Sequence, residues 1–307
     1  MSTMQRREKF NKIIDLINQK SSLQKKRLKQ YLTEQDEEFW CRTEEFVSSY
    51  EKFLHSEMLD IDYLVSAYLK LCQNMIKEQV RFLQTGRYSV SAKQAYENIY
   101  LNRSEMMSYM CGLALSQFLW KNHYAMYRFF NRKILHYADR IHSYLEIGPG
   151  HGLFLVEAIR NTQCQLYEAV DISPISVELS KKTMRFMSDR ADQIHFKEAD
   201  ILNYGSSASK FDFVTMGEVL EHVEEPRRLL VKIRSLLSAQ GRAFITTCSN
   251  CPAIDHVYLF SSIDEIRNMI CDCGFDIEDE LVLPVENLSP SEMQCYKIGY
   301  NYASILK

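Results

Sequence analysis

The stretch YLEIGPGHG, Tyr144 to Gly152, decides the fold. It joins a short apolar run to LFLVEAIR, which reads as a helix, so the glycines occupy a strand-to-helix turn. Glycine lets the backbone pass close to a ligand there, and the helix N-terminus offers unpaired N–H groups. A lone G-x-G is a weak signal, because any tight turn can use glycine. The dinucleotide fingerprint would need its third glycine one residue beyond Gly152.

Beyond this turn, short apolar runs alternate with helical stretches, the pattern of a parallel sheet wound with helices. The runs SYLEIG, QLYEAV, QIHFKE, FDFVTM and RAFITT predict five strands, and DIEDELVLP and YKIGYNYASIL predict two more. The last alternates strictly, which predicts an antiparallel strand at the edge. Asp171 closes the second strand, about 20 residues past the glycines, where an acidic side chain suits the hydroxyls of a ribose. Asp200 follows the third strand, where a carboxylate can receive an exocyclic amine. All these ends share one edge of the sheet, so they outline a single adenosine-shaped cleft.

Before the turn the texture differs. From Met1 to Tyr137 there is no proline, only Gly86 and Gly112 among glycines, and apolar residues recur at helical spacing. The expectation is an all-helical N-terminal substrate or lid domain over residues 1–137 and an α/β domain over 138–307. Gly86 can end one helix and Ser91 start another, with Tyr88, Tyr96 and Tyr100 in the break between them. Tyr88 and Tyr96 are the tyrosines expected to cover the bound cofactor.

The segments YLEIGPGHG, VDIS, EADIL and FDFVTMGEVLEHVEEP resemble, in order and at the usual separations, the motifs of class I S-adenosylmethionine-dependent methyltransferases. GEVLEHVEEP is most similar to the small-molecule branch that includes ubiquinone-pathway enzymes, and no N/D-P-P-Y motif of the nucleic-acid branches follows the fourth strand. The resemblance implies a doubly wound, seven-stranded Rossmann-like sheet, with S-adenosylmethionine as cofactor. It implies that Glu146, Gly148 and Gly150 line the methionine side, and that Asp171, with Ile172 beside it, takes the ribose. Asp200 and Ile201 would frame the adenine, and Met216 and Gly217 would lie beneath the sulfonium.

Methyl transfer is an in-line displacement at an activated carbon, so the protein aligns the partners and removes a proton where needed. Glu218, Glu221 and His222 follow the fourth strand, and Asp255 and His256 the fifth. His256, with Asp255, is the expected base, and Glu218, Tyr88 and Tyr96 complete the candidate catalytic group. Two other readings use the same residues. The aminobutyl nitrogen of S-adenosylmethionine could displace methylthioadenosine and close an azetidine ring, or the chain could bind the cofactor without catalysis.

TTCSNCPAIDHVYLF, residues 246–260, holds Cys248 and Cys251 in a C-x-x-C, and Cys271 and Cys273 follow in a C-x-C. Residues two apart on a helix do not share a face, so a four-thiolate zinc ribbon is not expected, and no metal is. Nine scattered cysteines read as reduced. A net charge of −3 offers no attraction to a polyanion, and the basic cluster from Arg6 and Arg7 to Lys29 reads as a solvated helix face. The partner expected is a small-molecule substrate, with no nucleic acid and no membrane; a homodimer stays open. The absence of a 20-residue apolar run or signal-peptide core predicts a cytoplasmic protein.

Overall fold

The computed structural model describes residues 7–205, 210–286 and 288–307. Arg6 of the basic cluster lies outside them. Four helices open the chain: α1 (Glu8–Lys20), α2 (Ser22–Thr33), α3 (Glu37–Ser56) and α4 (Ile61–Thr85). Each turns one stripe inward. In α1 it is Phe10, Ile13 and Ile17, at the spacing that brings successive turns onto one face. Side-chain caps fix the starts: Asp60 Oδ1 accepts from Tyr63 N at 2.9 Å at the head of α4. The basic residues serve these helices. Lys9 pairs with Glu51 and Lys20 with Asp62, both at 2.7 Å.

The segment after Gly86 is more helical than its tyrosines and polar residues suggest. Ser91 and Gln94 form a reciprocal capping box that starts the short α5 (Ala92–Ala95). A π-helical turn, Tyr96–Tyr100, continues it, closed by a bond from Leu101 N to Tyr96 O at 2.9 Å. The wider π turn brings residues four apart nearly into line, so Tyr96 and Tyr100 face the same way. Then come α6 (Arg103–Leu119) and α7 (Lys121–Tyr137).

The strands are β1 (Ser143–Ile147), β2 (Leu166–Asp171), β3 (Ile194–Glu198), β4 (Phe211–Gly217), β5 (Leu237–Ser249), β6 (Ile277–Pro284) and β7 (Tyr300–Leu306). They form one sheet in the order β3-β2-β1-β4-β5-β7-β6. The first five are parallel, and β7 runs antiparallel between β5 and β6. The connecting helices are α8 (Leu153–Asn161), α9 (Pro174–Met187), α10 (Pro226–Leu236), α11 (Ile263–Asp272) and the short α12 (Pro290–Cys295). This is the expected doubly wound sheet with one correction. The C-terminal strand is antiparallel but internal, with Tyr302, Ala303, Ile305 and Leu306 fully buried. The edge is β6, whose Glu278, Asp279 and Glu280 pair with Arg242, Lys133 and Arg267, the charged guard an exposed strand needs.

Alternation along the strands sorts side chains between two layers. Tyr144, Phe213, Phe244 and Ile305 pack with the helical region, α8 and α9. Leu145, Val214, Ile245 and Leu306 pack with α10 and α11 on the other face. The helical region and the sheet thus share one apolar core, from Phe10 to Ile305. Among the described residues no helix is long and apolar enough to cross a membrane.

Candidate active site

Strand order reverses between β1 and β4, and there a cavity of about 790 Å³ opens between the strand ends and the helical region. Its floor is the glycine turn. Gly148, Gly150 and Gly152 all have positive φ, at 65°, 48° and 75°, which side-chain-bearing residues rarely adopt. A Cβ on Gly150 would project into open space, its nearest neighbour the Gly148 carbonyl at 3.9 Å, so the backbone itself forms the wall. Gly152 starts α8 with no side-chain cap.

Carboxylates ring this floor. Glu146 is buried, accepts the Tyr144 hydroxyl at 2.7 Å, and is pushed up to about 8 by burial, the tyrosine bond opposing. Asp171 accepts Ser173 N at 2.9 Å on Oδ1 and the Ser176 hydroxyl at 2.6 Å on Oδ2. Burial raises its pKa against those two bonds. Asp200 accepts Leu202 N at 2.9 Å and the Asn203 amide at 2.8 Å. Glu146 carries a stability prediction for the unliganded protein. A carboxyl whose pKa rises on folding stabilises the fold fully below its unfolded value near 4.5 and loses that contribution as pH climbs toward 8. Between pH 5 and 8 the melting temperature should therefore fall more steeply in the parent protein than in Glu146→Gln; parallel pH profiles would refute this.

Opposite the floor, the turn after β4 meets the loop after β5. Glu218 holds φ 51°, and its N–H is tied to Thr246 O and Oγ1 at 3.1 and 3.0 Å. Its Oε1 is buried without a partner, and burial raises its pKa. Glu221 is fully buried. Its Oε2 accepts the Thr247 hydroxyl at 2.7 Å, its Oε1 has no partner, and burial beside Glu218 holds its pKa well above the usual range. Asp255, also fully buried, accepts the Tyr109 hydroxyl at 3.0 Å and the Tyr100 hydroxyl at 3.1 Å. It therefore ties α6 and the π turn to the sheet. The His256 Nδ1 donates to Cys251 O at 2.6 Å, and burial pushes the ring down to about 4.

Most of the expected site residues meet in this cavity: Glu146, Gly148, Gly150, Asp171, Ile172, Asp200, Gly217, Glu218, Asp255, His256 and Tyr96 all line it. Three do not. Ile201 and Met216 pack into the α10–α11 layer, and Leu202 lines the cavity where Ile201 was expected. Tyr88 stands behind the wall, its ring 5.8 Å from that of His256 and its hydroxyl accepting Cys251 N at 3.1 Å. Tyr100 and Tyr109 line the cavity, as Tyr88 does not. The four cysteines of the ribbon pattern do not gather: Cys248 and Cys251 line the cavity, Cys271 is exposed, and the Cys273 thiol donates to Arg227 O. The far arm is apolar, built from Leu71, Met75, Met106, Met110, Leu113 and Met126. Such a methionine-rich wall adapts to the shape of its occupant.

The family described as "Methyltransferase domain" matches residues 121–270, which run from α7 through α11. Over these residues the chain is similar to that methyltransferase domain family. Ubiquinone biosynthesis O-methyltransferase of Schizosaccharomyces pombe is similar, 33% identical over 108 residues, covering 34% of this chain and 37% of that one. Its counterpart in Xanthomonas axonopodis pv. citri is 31% identical over 110 residues, covering 36% and 44%. The matches span less than half the length of these curated relatives. Likeness reaches further in three dimensions. An O-methyltransferase family protein from Burkholderia thailandensis superposes with a TM-score of 0.54 at 14% identity, covering 81% of this chain and 72% of that one. PigF, solved with SAH, gives 0.53 at 12% identity, covering 80% and 73%. At those identities the likeness concerns the methyltransferase fold, including part of the helical region. The site suits an adenosyl ligand on its own terms: a glycine turn open at Gly150, a recessed carboxylate on β2 and a second one after β3.

Proposed function

We propose that this chain binds S-adenosylmethionine across the glycine turn and transfers its methyl group to a small molecule held in the methionine-lined arm. The observation that carries the reading is the continuity of one cavity from Asp171 and the glycines to that apolar arm, with room for two ligands side by side. The O-methyltransferase relatives favour an oxygen acceptor.

The cofactor supplies a methyl carbon made electrophilic by its sulfonium. Gly148 and Gly150 let it lie against the backbone, Asp171 holds the ribose hydroxyls, and Asp200 with Leu202 meets the base. Glu218 accepts the acceptor's proton, since its buried Oε1 borders the cavity and has no other partner. The apolar arm excludes water and orients the acceptor. Asp171→Ala removes charged hydrogen bonds worth roughly 1.5–3 kcal/mol each. Cofactor affinity should fall at least about tenfold by calorimetry, and unchanged binding would remove Asp171 from the ribose site.

Incubation with S-adenosylmethionine, with and without hydroxylated aromatic acceptors, tests the reaction. S-adenosylhomocysteine formed only with an acceptor supports methyl transfer. Methylthioadenosine from the cofactor alone would replace it with ring closure, and tight binding without either product would leave a non-catalytic binder.

A further inference from the structure

Strands β4 and β5 are parallel neighbours, so the segments leaving their C-terminal ends deliver side chains to one place. The 3-10 turn after β4, Leu220–His222, carries Glu221 and His222. Cys248 stands near the end of β5, and His256 lies in the loop beyond. We propose that Glu221, Cys248 and His256 bind one divalent transition-metal ion, zinc in the first instance, in the wall of the cavity, with His222 beside the carboxylate.

An inventory of lone pairs carries the proposal. The His222 Nδ1 lies 3.1 Å from the Asp255 carbonyl, and the His256 Nδ1 lies 2.6 Å from the Cys251 carbonyl. A carbonyl only accepts, and the Tyr100 hydroxyl, 3.0 Å from the His222 Nδ1, gives its proton to Asp255, so both Nδ1 atoms carry the proton and both Nε2 atoms present a bare lone pair. Those two nitrogens stand 3.8 and 3.9 Å from the same oxygen, Glu221 Oε1. That oxygen is buried and has no hydrogen-bond partner. Cys248 is buried beside them, and donor atoms of Glu221, Cys248 and His256 all lie within 4.8 Å of one another. A dication held by that oxygen, the His256 Nε2 and the Cys248 Sγ, with the thiol and any carboxyl proton released to solvent, satisfies all three.

The donor set selects the ion. An imidazole, a thiolate and a carboxylate suit zinc, cobalt or ferrous iron, and disfavour magnesium and calcium, which prefer oxygen. Zinc bonds of about 2.0–2.1 Å in a regular tetrahedron place nitrogen and oxygen ligands about 3.4 Å apart, so the 3.9 Å between Glu221 Oε1 and His256 Nε2 need close by only about 0.5 Å. The outer shell is present too, since each imidazole gives its other N–H to a backbone carbonyl, which fixes tautomer and ring orientation. His222, Cys248 and His256 line the cavity, so the ion would border any molecule bound there. A role in holding an acceptor oxygen rests on the methyl-transfer reading. The site itself does not.

The test uses the full chain, stripped with a chelator and titrated with zinc chloride by calorimetry and with cobalt chloride by absorption. One ion per chain is expected, with tetrahedral cobalt bands and a thiolate-to-cobalt transition. Glu221→Gln and Cys248→Ser should each weaken zinc by at least about 100-fold, beyond the 10–100-fold of an outer-shell loss. A Cys271→Ser, Cys273→Ser variant should bind zinc as the parent does. S-adenosylmethionine binding reports whether each variant is folded. No zinc uptake, full uptake in both ligand variants, or a cobalt complex without the thiolate transition would each overturn the proposal, the last measured on the parent chain. Zinc bound without methyl transfer would leave the site standing and overturn the reaction.

Discussion

Glu218→Gln is expected to slow methyl transfer by about 10²–10⁴-fold while S-adenosylmethionine still binds nearly as before. The substitution keeps shape and removes only the ability to take up a proton. The backbone of Glu218 is held at φ 51° by Thr246, so the amide would occupy the same place. A non-glycine residue fixed in that region is strained, and such strain gathers at functional sites. Single-turnover formation of S-adenosylhomocysteine measures the rate, and calorimetry measures binding. If affinity falls as far as the rate does, Glu218 holds the cofactor instead of accepting a proton.

Gly299→Ala is expected to cost roughly 3 kcal/mol or more of stability, at the upper end of overpacking. A Cβ there would stand 1.6 Å from Ser249 O and 2.8 Å from the Asn250 backbone. Neither can withdraw cheaply, because Asn250 N donates to Phe260 O at 2.9 Å and Val285 N donates to Gly299 O at 3.0 Å. At about 2–4 °C per kcal/mol the melting temperature should drop by roughly 6–12 °C. Thermal unfolding followed by circular dichroism decides it; an unchanged midpoint would mean that β5 and β7 separate more readily at this end than their packing indicates.

The sheet was legible because each strand is a short apolar run closed by a turn signal, and the cofactor floor because three glycines and two strand-end aspartates carry their own conformational reasons. Neighbours were less legible. Alternation identified β7 as antiparallel, but which strands flank it depends on pairings between residues far apart in the chain. Met216 was misplaced because strand parity sends it, with Val214, into the α10–α11 layer. The π turn was invisible, since one additional residue per turn leaves no compositional trace. Tyr109 lies in MMSYMCGLAL among residues that read as core, and only the buried carboxylate of Asp255 distinguishes it. Glu221, Cys248 and His256 belong to separate segments, and the lone pair that His256 offers depends on which carbonyl its ring meets.

The inward position of β7 has a consequence for how the molecule is made. Strand β6 pairs with β7 alone, and the outer edge of β5 waits for the same partner. While the ribosome is still delivering residues before Tyr300, β5 therefore exposes an unpaired margin next to the nascent site, and β6 has nothing to join. The five parallel strands can assemble earlier, but the wall that carries Cys248 and Gly299 closes only when β7 slides between two strands already synthesised. Synthesis of β7, rather than the appearance of the cofactor motifs, sets the moment at which this protein becomes competent.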